Sequence, residues 1–243
     1  MTSLGRVESL WRYPVKSMRG AELDEAFIGF SGVYGDRLYA FKSAAAEAVF
    51  PYFTGREQAR MLLFTPRFRN ARLAAKPANL AEATAESPTG ELLAIEDPAL
   101  PALLSQGLEK THDLSLLRSE RALTDCRPLS LISMQSVAQL GREIGQSVDH
   151  RRFRANVYVD LDGGEGFAED ALVGRSLRIG PSVEIAIVAR DPRCKMITLD
   201  PETGEMDPKI LQKVGRGHGG RAGVYAAVLS EGLVSRGDRI EVV

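Results

Sequence analysis

The chain has 243 residues, of which 44% are hydrophobic and 26% charged, and its formal net charge is -1. A chain of this length buries a substantial core without disulfide or metal staples. Near-neutral charge excludes a surface built wholly for polyanions but is compatible with a local basic pocket. Two cysteines are too few for a disulfide framework or for an all-cysteine zinc or iron–sulfur site. The start, MTSLGRVESLWRYPVK, lacks the basic-then-apolar pattern of a signal peptide. No window approaches the ~20 apolar residues of a membrane span. The expectation is a cytoplasmic protein with neither membrane nor nucleic acid as partner.

In chain order, GRVESLWRYPV alternates as a strand, with Pro14 at its end or on an edge. Residues 21–45 read as two or three short strands broken at Gly32 and Gly35. FTGREQAR (residues 53–60) opens a short helix with Thr54 as N-cap. RMLLFTPRF and NARLAAKPA read as strand and turn, residues 80–91 as a polar loop or hairpin, and DPALPALLSQGL as a short helix stopping near Gly107. DLSLLRSE alternates as a strand. Ser133 N-caps a helix whose Val137, Leu140 and Ile144 share a face.

The basic cluster of DHRRFRAN then leads into the strand VYVDL. FAEDALVGRSLRIG, SVEIAIVAR and KMITL read as strands, and DPETGE as a tight turn. DPKILQKVGRG reads as a helix with Asp207 as N-cap, Pro208 at its first position and a stop near Gly215. GRGHGGRAG reads either as a mobile connector or as a glycine loop that lets backbone approach a ligand closely, and the remaining residues form two or three strands. Many short strands with few short helices predict a mixed, β-rich fold, a β-barrel with helices at its margins. The polar stretches place a domain boundary near residue 118, dividing the chain into 1–118 and 119–243.

The chemistry concentrates around Cys194, set between Arg193 and Lys195 with Arg190 nearby. A thiolate is the reactive and metal-binding form of cysteine, and positive neighbours favour it. One soft ligand suits a soft or high-valent metal whose other ligands come from a cofactor. The alternative is a buried, idle cysteine. Short basic clusters recur at strand ends: Arg12 and Lys16 with Ser17, Arg37, Arg151, Arg152 and Arg154 with Asn156, and Arg190 with Arg193. Arg forks match phosphate bidentately, and Lys adds a point charge, so together they fit a phosphate-bearing ligand. Singly, each is an ordinary solvated face. GRGHGGRAG is not a nucleotide fingerprint, and HExxH, GxSxG and CxxC are absent.

WRYPVKSMRG, FTGREQARM, RRFRANVYVD, RDPRCKMITLDPETGE and GVYAAVLSEGLVSRGD together resemble the MOSC proteins. More closely, they resemble the group with an N-terminal MOSC-associated β-barrel domain, which includes the mitochondrial amidoxime reducing components and their bacterial counterparts. The resemblance covers nearly the whole chain in the expected order. It implies a MOSC-type β-barrel and a molybdenum cofactor, a pterin whose dithiolene holds molybdenum and whose tail carries a phosphate. Pyridoxal phosphate binding is left open. By position, Cys194 matches the cysteine that ligates the metal. Lys16, Ser17 and Arg37 match cofactor-pocket residues, as does Ser133. Arg154 and Asn156 match an arginine and an asparagine that hold the pterin or phosphate, while Arg190 and Arg193 flank the cysteine.

The implied activity is reduction of N-hydroxylated compounds: hydroxylamines, amidoximes and N-hydroxylated bases. The sequence has no cysteine cluster for a ferredoxin-like centre, so electrons are expected from a separate reductase. Cys194 serves as ligand rather than nucleophile, and His218 is a candidate proton donor. The rival readings are a carrier or sulfur-transfer protein for the same cofactor, and a metal-free module binding some other anion.

Overall fold

Alternation in the first strand decides how the molecule closes. Val7 and Leu10 point into the main apolar core, while Trp11 turns toward a second cluster beyond a bulge between Val7 and Ser9. The computed structural model describes residues 2–44, 50–69, 82–109 and 112–243. The first half contains strands β1 (Thr2–Arg12), β2 (Ala21–Leu23), β3 (Glu25–Gly29), β4 (Gly32–Val33), β5 (Tyr39–Ser43) and β6 (Tyr52–Phe53). It continues with β7 (Thr65–Phe68), β8 (Ala83–Glu86), β9 (Leu92–Ala94), helix α1 (Leu100–Ser105) and β10 (Leu114–Arg118). The second half runs β11 (Leu129–Ser133), α2 (Met134–Ile144), β12 (Val157–Leu161), β13 (Ser176–Ile179), β14 (Val183–Pro192), α3 (Pro208–His218), β15 (Arg221–Ser230), β16 (Gly232–Ser235) and β17 (Arg239–Val242).

The largest sheet has the order β12-β11-β15-β14-β13-β17-β1-β2, and β1 also pairs with β12. Seven strands thereby close into a barrel, with β2 added outside the ring. Closure leaves the ring without free edges. The barrel interior is aliphatic, with Leu131, Val159, Ile185, Ile187, Val224 and Ile240 all buried. Most connections are antiparallel, but β11 and β12 run parallel, joined through α2. Ser133 caps that helix by accepting from the Ser136 N–H, and Val137 and Leu140 are buried against the barrel, as the apolar spacing predicts. Although the polar stretches divide the sequence near residue 118, β1 lies in the barrel of the second half. β3 also pairs with β16. A separate core around Met18, Tyr39, Phe41, Phe53, Met61 and Phe64 supports the rest of the N-terminal half.

Several local expectations change. FTGREQAR begins as a turn in which the Thr54 hydroxyl accepts from the Arg56 N–H; a 3-10 helix follows at Ala59–Leu63, capped by Gln58. KMITL is a 3-10 helix, Lys195–Thr198, because β14 ends at Pro192 and the Thr198 hydroxyl turns back to the Lys195 carbonyl. Ala168–Leu172 is likewise 3-10. α3 runs through Gly215 and stops at Gly219, whose φ of 62° closes it. GRGHGGRAG is therefore helix end, turn and strand start rather than a connector. DPETGE does turn, with the Gly204 N–H donating to Asp200 O at 2.8 Å. The reading of NARLAAKPA falls on residues 70–78, outside the described residues.

Candidate cofactor cleft

β1 delivers Trp11 and then Tyr13 to the boundary between the two halves, where Tyr13 organises its polar neighbours. Its ring is 2% exposed, and its hydroxyl donates to the Ala155 carbonyl at 3.2 Å. The Arg37 and Arg154 guanidiniums lie 4.6 Å and 4.3 Å from its centroid. Gly20 makes room for the ring, since a Cβ there would sit 2.4 Å from Tyr13 Cε1. Asp36, buried at the same point, accepts from the Tyr13 N–H at 2.7 Å and pairs with Arg37. Arg37 Nη2 donates to the Arg154 carbonyl at 2.9 Å.

Above this network lies a cleft lined by, among others, Lys16, Thr54, Asp125, Ser130, Arg154 and Cys194. Among the described residues, seven basic side chains face it against two acidic ones, Asp125 and Asp191. Among the described residues, four non-glycine residues have left-handed backbones, and three of them line this cleft: Ser17 (φ 65°), Arg37 (φ 48°) and Arg154 (φ 51°). Such conformations cost energy and persist where surrounding structure over-determines them, characteristically at functional sites.

The cations differ in what engages them. Arg154 Nη2 is buried without a hydrogen-bond partner, and burial lowers the guanidinium pKa to about 10. Burial also lowers the Lys16 pKa, although Lys16 pairs with Asp125 and donates to the Leu123 carbonyl at 2.8 Å. Desolvation opposes ionisation of Asp125, but Lys16 overrides it and holds the carboxyl below its ordinary range. Arg37 moves the other way: burial disfavours its charge, and Asp36 more than offsets that. Arg193 spans the site's floor, donating to the Ala222 and Phe153 carbonyls at 2.7 and 2.8 Å and pairing with Asp191 at 2.9 Å. Burial raises the Asp191 pKa against the opposing pull of Arg193 and Tyr225.

Cys194 comes directly after Arg193, half-buried, where β14 gives way to the 3-10 turn. Lys195 fastens that turn to the N-terminal half by donating to the Arg56 carbonyl at 2.9 Å.

Of the residues singled out in the sequence, Lys16, Ser17, Arg37, Arg154, Asn156, Arg193 and Cys194 come together here. The side chain of Asn156 is spent on backbone, donating to Trp11 O and accepting from Ser130 N, both at 3.3 Å. Ser133 and Arg190 do not line the cleft. The Ser133 hydroxyl caps α2 and donates to buried Glu169 at 2.7 Å. Arg190 pairs with Asp170 at 2.7 Å and donates to the His218 carbonyl. His218 is also elsewhere, stacked on Phe167 and bound to Glu143. Sequence reasoning passes over Ser130, Asp125, Arg127, Asp191 and Tyr225, all of which line the cleft. Asp125 and Arg127 flank Cys126, and Ser130 lies three residues before Ser133; nothing in their spacing marks them.

The residues fit an anionic cofactor that brings most of a metal's ligands with it. One thiol is present, and no group of three or more His, Cys, Asp or Glu among the described residues is placed to hold a bare ion. The unpartnered Arg154 Nη2 supplies a preformed donor for such a ligand.

Comparison with known proteins identifies the family. The MOSC N-terminal beta barrel domain matches residues 4–112, and the MOSC domain matches residues 118–241. Mitochondrial amidoxime reducing component 2 of Bos taurus is 26% identical over 246 residues, covering 86% of this chain and 70% of that protein. The molybdenum cofactor sulfurase of Caenorhabditis briggsae is 35% identical over 117 residues, 44% of this chain and 16% of that protein. In fold, the chain matches the crystal structure of the YuaD protein from Bacillus subtilis, with a TM-score of 0.52 and 16% identity, covering 98% and 94% of the two chains. Barrel, N-terminal domain and matched segments together make this chain a member of the MOSC family.

Proposed function

We propose that this chain is a molybdenum-cofactor-dependent oxidoreductase that reduces N-hydroxylated compounds, taking electrons from a separate reductase. The observation that carries the reading is a buried, unpartnered Arg154 Nη2 in the same basic cleft as a single available thiol. The amidoxime reducing components, similar over 86% of the chain, support it. When bound, the cofactor supplies a two-electron centre able to accept an oxygen atom.

The chain's residues do the rest. Arg154 and Lys16 hold the anionic tail, with Arg37 keeping Arg154 in place, and Cys194 presents one sulfur ligand. Converting N–OH to N–H consumes two electrons and two protons and releases water. Asp191 and Tyr225 lie in the same cleft, with Asp191 paired to Arg193.

The carrier or sulfur-transfer reading is kept because of the 35% identity with the sulfurase. One preparation separates these readings. The protein is made in a cofactor-competent host, and molybdenum and pterin are measured for wild type and Cys194→Ser. The reductase reading expects near-stoichiometric molybdenum in wild type, loss in the variant, and turnover of a hydroxylamine with an artificial donor. Loaded protein without N–O reduction leaves the carrier reading standing. Folded wild type without molybdenum overturns both.

A further inference from the structure

Four of the cleft's seven cations are matched to acids: Lys16 to Asp125, Arg37 to Asp36, Arg152 to Asp200 and Arg193 to Asp191. Arg154 lies deep, on Tyr13. The other two, Arg56 and Arg127, have no ion pair among the described residues, and both reach solvent, Arg127 exposed and Arg56 partly so.

Arg56 is nevertheless held in place. Its Nε donates to the Thr54 hydroxyl at 3.3 Å, its guanidinium lies 3.9 Å from the Phe50 ring centroid, and its carbonyl accepts from Lys195. Arg127 belongs to the segment that also brings Asp125 to the cleft. Asp125 lies near enough to feel Arg56, but its salt bridge goes to Lys16, so with a single cofactor phosphate served by Arg154 and Lys16 the outer pair keeps excess positive charge. Two guanidinium forks at a cleft mouth match a small oxyanion.

We propose that the substrate of this cleft carries its own anionic group, a phosphate monoester or a carboxylate, which Arg56 and Arg127 hold at the mouth while the N-hydroxylated end enters toward Cys194. The inference rests on the reductase reading and narrows its substrates from N-hydroxylated compounds in general to acidic ones.

The test is a binding comparison on molybdenum-loaded protein at low salt. Calorimetric Kd values are measured for N6-hydroxyadenosine and its 5′-monophosphate, and for benzamidoxime and 4-carboxybenzamidoxime. Wild type is expected to bind at least one acidic probe roughly tenfold or more tightly than its neutral parent, as a charge-assisted contact warrants. The member of the pair that gains identifies the anion as phosphate or carboxylate. In Arg56→Gln/Arg127→Gln that ratio falls toward one with molybdenum content retained, and in Arg56→Lys/Arg127→Lys it partly recovers.

A ratio of one in loaded wild type, or a ratio the Gln pair leaves unchanged, overturns the inference and leaves the reductase reading intact. Loss of molybdenum from the Gln pair also overturns it, by making the two arginines cofactor ligands. Absence of molybdenum from wild type sinks the reductase reading, and this inference with it.

Discussion

Arg154 combines two costs: a left-handed backbone and a guanidinium nitrogen buried without a partner. Among the described residues no ion pair offsets them; the guanidinium contacts the Tyr13 ring. Asn tolerates the left-handed region and carries no charge. Arg154→Asn is therefore expected to keep or raise the Tm while lowering molybdenum and pterin retention about tenfold or more, measured by thermal unfolding and metal analysis of the same preparation. A lower Tm with full cofactor would make Arg154 a structural residue. At this scale the sequence is partly legible. Cys194 stands out because cysteines are scarce and its neighbours are basic, and RFRAN and YPVKS stand out through resemblance. The left-handed positions do not, because Ser17, Arg37 and Arg154 are not the glycines or asparagines that usually mark such backbone.

Among elements, β11 shows how a correct local reading conflicts with a functional one. Ser130 and Ser133 lie on one strand three residues apart, so the two-residue period sends them to opposite faces. The N-cap signal at Ser133 is legible and already uses its hydroxyl, which leaves the cleft to Ser130. Ser133→Ala is expected to cost about 1 kcal/mol through the lost cap, and more if Glu169 is left short of donors, with cofactor content unchanged. Ser130→Ala is expected to reverse the pattern, weakening cofactor retention with little change in Tm. Paired unfolding curves and molybdenum assays decide between them; if both variants behave alike, the assignment by face fails. KMITL reads as a strand because short apolar runs fit several conformations. Its 3-10 geometry depends on β14 ending at Pro192 and on the Lys195 contact to Arg56, both tertiary facts.

Across the whole molecule, strand density and turn chemistry make a β-rich barrel legible, but the closure order is not. β1 sits between β12 and β17, from the opposite end of the sequence. Such long-range pairing leaves no mark on local pattern. Residues 119–243 produced alone would expose the facing edges of β12 and β17, along with the Val159, Leu161 and Ile240 surface that Val7 and Leu10 cover. That fragment is expected to aggregate or remain unfolded by circular dichroism, and a well-dispersed, monomeric NMR spectrum would refute the expectation. The strand that closes the barrel also carries the chain's single tryptophan, Trp11, into a second cavity that it shares with Tyr13 and Arg154. The indole stacks with Tyr13 at 6.4 Å, and the far neighbours of that ring are the cations of the cleft. The protein thus carries one intrinsic indole fluorophore a single ring away from the site, so its emission is an optical address for whatever fills the cleft.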